Sequence, residues 1–164
     1  MKYFFSVLFT VIMVINAQAQ GTPLYLSQKT PPPTTLLLAD SVTKWPLKAR
    51  YAKNKQLFIM LFNPDCDHCQ HETEALIKNI SKFKDIQIVM ATTKSISEMK
   101  AFIKRYGLNK YSNITVGRDI AYVIPSYYEV KNLPYLAFYD KNKRLISTFE
   151  GSLGMGAILK IFGK

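Results

Sequence analysis

The chain has 164 residues, 48% of them hydrophobic and 20% charged, the composition of one globular domain with a sizeable core. Its net charge of +11 comes from basic residues scattered along the chain, as at Lys44, Lys55, Lys78, Lys84, Lys141 and Arg144, so it reads as a solvated, lysine-rich surface. Two cysteines separated by two residues close a loop so short that it is a poor staple, which favours a chemical role for the pair over a structural one.

Residues 1–19 stand apart. Lys2 supplies a positive start, Phe4 to Ile15 is an apolar run with two hydroxyls, and Ala17-Gln18-Ala19 offers a cleavage site, which together predict a signal peptide cut after Ala19. As a helix that run rises about 18 Å, short of a bilayer core of roughly 30 Å, so no membrane span is expected after cleavage. The expected protein is therefore exported, in a bacterial periplasm, where nucleic acid is not a partner. Residues 20–33 end in Pro31-Pro32-Pro33 and predict an extended tether. Residues 34–164 are the expected folded domain.

Thr34 to Ala39 is short and apolar, an expected edge strand closed by a turn at Asp40-Ser41. Val42 to Asn54 has no clean periodicity. Gln56 to Phe62 is a continuous apolar run, the pattern of a central strand buried on both faces. From Cys66 the spacing turns helical, with Leu76, Ile77, Ile80 and Phe83 as the apolar stripe and Glu72, Glu74, Lys78 and Lys82 placed around the rest. Ile86 to Ala91 predicts a second buried strand. Ser95 to Tyr106 predicts a helix with Ser95 and Glu98 as a capping box and Gly107 as its stop.

Asn113 to Val116 is an expected short strand, and an irregular or briefly helical stretch runs on to Tyr128. Tyr135 to Tyr139 and Leu145 to Phe149 flank the turn Asp140–Lys143 and predict an antiparallel hairpin, before a terminal helix over Met155 to Phe162. The order is strand, helix, strand, helix, then strand, strand, helix. That is an α/β fold with a central mixed sheet flanked by helices and a C-terminal hairpin and helix.

The chemistry concentrates in Cys66-Asp67-His68-Cys69, which leaves a buried strand and opens a helix. A helix N-terminus presents unpaired N–H groups and a partial positive charge, which favour a thiolate at Cys66. Two intervening residues on one turn bring the sulfurs within bonding reach. Cys66 is the candidate nucleophile and Cys69 the resolving thiol.

Strand, Cys-x-x-Cys, helix, then Leu133-Pro134 ahead of a hairpin resembles the thioredoxin superfamily, over about Thr34 to Phe162. The stretch Tyr128 to Pro134 with Asp140–Lys143 is similar to the exported TlpA-type redoxins. The resemblance implies a thioredoxin-like fold, a thiol-disulfide oxidoreductase that needs no cofactor, and a cis-proline loop. By it, Pro134 with Leu133 beside it binds substrate backbone, the partners are protein thiols or disulfides and a separate electron donor or acceptor, and the protein works as a monomer. Asp65 stands where the family commonly has tryptophan, and Met60 where thioredoxin has a buried acid. Water, His68 or a carboxylate elsewhere is left to take the Cys69 proton.

His68 is similar to the histidine of oxidising members and disulfide isomerases. A histidinium there favours the thiolate and oxidising power, while Asp65 and Asp67 oppose it, so both directions of electron flow stay open. Two other readings compete. Cys66, His68, Cys69 and His71 fall within six residues and suggest a copper(I) carrier on this scaffold, copper(I) needing few, soft ligands. A redox-inert interaction domain with a structural disulfide is the other.

Overall fold

The computed structural model describes residues 22–164. The expected signal peptide, residues 1–19, lies outside them, as do the first two residues of the expected tether. Along the chain the elements are α1 (Leu24–Gln28), β1 (Thr35–Leu37), β2 (Lys44–Pro46), β3 (Gln56–Leu61), α2 (Asp67–Lys78), β4 (Ile86–Thr92) and α3 (Ile96–Tyr106). There follow β5 (Ile114–Arg118), α4 (Val123–Tyr128), β6 (Tyr135–Tyr139), β7 (Leu145–Glu150) and α5 (Met155–Ile161).

The seven strands found among the described residues form one mixed sheet in the order β2-β1-β5-β4-β3-β6-β7. β3, β4 and β5 are parallel neighbours, and β6 runs antiparallel to β3 with Ile59 opposite Ala137. The continuous apolar runs are explained by burial on both faces. Phe58, Met60 and Phe62 point into one core with Leu76 of α2, Phe102 of α3 and Ile158 of α5. Leu57, Ile59 and Leu61 point into the other, with the tyrosines of α4 and β6.

Ser95 caps α3 as expected: its hydroxyl accepts from Glu98 N–H at 3.2 Å and its own N–H donates to Glu98 Oε2 at 2.9 Å. Gly107 ends the helix at φ 61°, where only glycine is unstrained.

Three expectations change and one is narrowed. The strand at Thr35–Leu37 is not an edge but lies between β2 and β5, because Lys44–Pro46, with no readable periodicity of its own, pairs outside it. Ile80 and Phe83 belong to a separate 3₁₀ turn, Ile80–Phe83, entered through Asn79, so they do not continue the stripe of α2. Of the two readings for the stretch before Tyr128 the briefly helical one holds, as the six-residue α4; Pro125 fits in its first turn, where an N–H has no intrahelical acceptor.

The segment read as a tether is packed from Leu24 onward. The Tyr25 ring lies 5.6 Å from that of Tyr128, and Tyr127 Oη donates to the Thr30 carbonyl at 2.7 Å. Pro31 and Pro32 are buried. A proline has no N–H to satisfy, so burying a proline run costs less than its usual solvated role suggests.

Candidate active site

Between β3 and α2 the chain turns over Asn63-Pro64-Asp65. The Asn63 side-chain oxygen accepts from Asp65 N–H and its carbonyl from Cys66 N–H, both at 3.0 Å, while Gln70 Nε2 reaches back to the Pro64 carbonyl at 2.8 Å. These bonds deliver Cys66 to the N-cap of α2 in extended backbone geometry. Its sulfur takes the role that a hydroxyl or carboxylate usually has there and accepts from Cys69 N–H at 3.3 Å. A sulfur accepting a backbone N–H at this position meets the positive end of the helix dipole.

The two cysteines are free thiols in unequal settings: Cys66 is half-buried and Cys69 has no exposed surface. Burial, reinforced by the Cys66 sulfur, pushes the Cys69 thiol far above its ordinary value of 9.0. Cys69 therefore keeps its proton at neutral pH until something removes it.

The loop before β6 meets this pair. The Cys66 thiol donates to the Leu133 carbonyl across 3.8 Å, the Leu133–Pro134 peptide bond is cis, and Pro134 is buried. Cys66, Cys69, Leu133 and Pro134, spread over 69 positions of sequence, thus share one end of the sheet.

Asp65, Asp67 and His68 are exposed around Cys66, and the His68 carbonyl accepts from Ser152 Oγ at 3.2 Å. The four copper candidates do not converge. His68 and His71 face solvent while Cys69 points into the core, since helical steps of 100° place them around α2 and not on one side. Among the described residues no group of three or more His, Cys, Asp or Glu could hold a metal ion.

No protein-family model matches the chain, and no curated protein does. Solved structures do match. Mycobacterium tuberculosis DsbF aligns with a TM-score of 0.68 at 14% identity, covering 82% of this chain and 97% of that one. A secreted M. tuberculosis disulfide oxidoreductase homologous to E. coli DsbE gives 0.66 at 17%, covering 80% and 95%. The exposed lipoprotein thioredoxin of Streptococcus pneumoniae gives 0.62 at 22%, covering 79% and 98%. The fold is thioredoxin-like.

Within this thioredoxin-like fold, Met60 is fully buried and apolar, so β3 offers no acid beneath the cysteines. α2 offers one. Glu72, three residues beyond Cys69, is 4% exposed; its Oε2 accepts from Leu153 N–H at 2.9 Å, and its Oε1 is buried without a partner. Burial raises its carboxyl above the ordinary 4.5, only partly countered by Leu153 N–H. The sequence reading set Glu72 on the polar side of the helix. Its spacing of four from Leu76 is the signal that places it on the buried stripe instead.

Proposed function

We propose that the chain is an exported thiol-disulfide oxidoreductase that exchanges disulfides with protein thiols through Cys66 and Cys69. The observation that carries this reading is the asymmetry of the pair. Cys66 stands at the helix N-cap with its sulfur receiving a backbone N–H and accessible from outside, while Cys69 is buried directly behind it.

In the reducing direction the Cys66 thiolate attacks one sulfur of a substrate disulfide. A Cys66–substrate mixed disulfide forms, the substrate S–S bond breaks and one substrate thiolate leaves. Cys69 then gives up its proton and displaces the second substrate thiolate from Cys66. The pair ends as a Cys66–Cys69 disulfide, and two electrons have passed to the substrate. The oxidising direction reverses these steps. Substrate backbone lies along Leu133–Pro134, where the loop meets the Cys66 sulfur. Glu72 serves as the proton acceptor for Cys69, the role that Met60 leaves vacant on β3. Asp65, Asp67 and His68 ring the attacking sulfur and set its potential through the charges they present to it.

Export is supported by the N-terminal pattern of Lys2, Phe4–Ile15 and Ala17-Gln18-Ala19. Two of the matching structures are of a secreted protein and an exposed lipoprotein. No helix among the described residues is long and apolar enough to cross a membrane.

The decisive experiment replaces Cys69 with serine, which removes the resolving thiol and leaves the nucleophile. Mixed disulfides should accumulate on Cys66 in the native compartment, and the wild-type protein should reduce insulin. A wild type silent on insulin together with a variant that traps nothing would return the protein to the redox-inert reading. Equilibration of the couple with glutathione then places it between about −270 mV, as in thioredoxin, and about −120 mV, as in DsbA.

A further inference from the structure

Residues Glu150–Leu153, which leave β7 for α5, hydrogen-bond in succession to both walls of the candidate site. The Glu150 carboxylate accepts from Lys131 N–H and from the Asn132 side-chain amide, each at 3.0 Å. Gly151 N–H donates to the Pro134 carbonyl at 2.8 Å. On the other side Ser152 Oγ donates to the His68 carbonyl and Leu153 N–H to Glu72 Oε2. The first two residues hold the loop that ends in Leu133 and Pro134; the last two hold the opening turns of α2.

Within this bridge the bonds from Glu150 stand out physically. Lys131 and Asn132 are exposed and polar, so no apolar burial orders their part of the loop. An ionised carboxylate accepting a backbone N–H makes a charge-assisted bond, about twice as strong as a neutral one. The Lys131 N–H is the largest cause holding the Glu150 carboxyl below its ordinary 4.5, so the acceptor is charged at neutral pH. One residue further on, the Leu133 carbonyl lies 3.8 Å from the Cys66 sulfur.

We propose that Glu150 is a positioning residue that fixes the loop Lys131–Pro134 against Cys66 and thereby sets the affinity of the site for an extended protein disulfide. The inference rests on the oxidoreductase reading and adds to it. Glu150 contacts no reacting sulfur. It acts through Lys131 and Asn132 on a loop whose edge is the surface that substrate backbone meets.

The test compares full-length wild type, Glu150→Ala and Glu150→Gln with insulin as the disulfide substrate. Each is also followed by the rate at which iodoacetamide alkylates Cys66 and by amide hydrogen exchange at Lys131. Glu150→Ala should raise KM for insulin about fivefold, with most of the loss in KM and not in kcat, and speed Lys131 exchange about tenfold. Alkylation of Cys66 should stay within about twofold, because the helix N-cap is untouched. Glu150→Gln, whose carbonyl can still accept from Lys131 N–H, should recover most of the KM. If Glu150→Ala fails to fold, Asn132→Ala, which removes only the exposed side-chain bond, should give a KM rise of about twofold. A KM unchanged in Glu150→Ala while Lys131 exchange accelerates overturns the positioning role alone. Failure of the wild type to reduce insulin, together with a Cys69→Ser variant that traps no mixed disulfide, overturns the oxidoreductase reading beneath it.

Discussion

The fold does little to accommodate a charge on Glu72: one oxygen has a single N–H from Leu153 and the other has nothing. Its folded-state carboxyl titrates above the ordinary 4.5, so folding favours the protonated form. That contribution is complete below about pH 4.5 and is lost as pH rises through the raised folded-state value, where the native state must ionise a buried group or release it to water. Glu72→Gln removes the titration. Its stability in urea should match the wild type at acid pH and move ahead of it as pH rises to neutral. If Glu72 takes the Cys69 proton as proposed, the same substitution should slow resolution of a preformed Cys66 mixed disulfide by roughly tenfold or more. Formation of that mixed disulfide should be unaffected. A variant that gains stability at neutral pH yet resolves at the wild-type rate would show that Glu72 is a buried structural acid, with water taking the Cys69 proton.

At the scale of elements, β1 and β5 approach closely at Gly117. Gly117 is buried, and a Cβ placed on it would lie 2.6 Å from Leu36 Cβ. That contact involves the near end of the leucine side chain, so rotation cannot relieve it and a strand must move. Gly117→Ala should cost about 1–3 kcal/mol, read as a lower urea midpoint with unchanged m-value. A midpoint within error of wild type would mean that β1 is held too loosely to matter. What was legible in the sequence follows the same physics. β3, β4 and β6 are buried on both faces and show as apolar runs; α3 announces itself because Ser95 and Glu98 satisfy each other's backbone groups. β2 was not legible because Trp45 sits between Lys44 and Pro46 in a three-residue strand that is only half-buried. The Cys66–Cys69 turn could be read because its chemistry is local. The bonds from Glu150–Leu153 to the site could not, since they join residues 17 to 84 positions apart and all but the Asn132–Glu150 bond involve a backbone group that carries no sequence signature.

Across the whole molecule, the face of the sheet remote from α2 depends on residues before the first strand. Tyr127, Tyr128, Tyr135 and Tyr139 form an aromatic layer there, and burial pushes the fully enclosed Tyr128 phenol well above its ordinary value. Three residues close the layer from the N-terminal side. Tyr25 packs on Tyr128 at 5.6 Å, the Thr30 carbonyl accepts from both Tyr127 and Tyr139, and the Lys29 carbonyl accepts from Leu145 N–H at 2.8 Å. A chain starting at Thr34 loses all three while keeping every strand and the Thr34–Asp119 hydrogen bond. The phenols and the apolar ring surface would then meet water, a change of about 3 kcal/mol against a total stability of roughly 5–15 kcal/mol for a domain. Relative to a chain starting at Gln20, the expected loss is about 10 °C in Tm. Alkylation of Cys66 should be unchanged at temperatures where both remain folded, because the N-cap geometry is built by β3 and α2 and belongs to the core on the other face of the sheet. A Tm within about 2 °C of the longer chain would mean that Leu24 to Pro33 lies on the domain without stabilising it. A fall of the expected size with normal Cys66 reactivity would make those residues part of the folded unit and not a spacer before it.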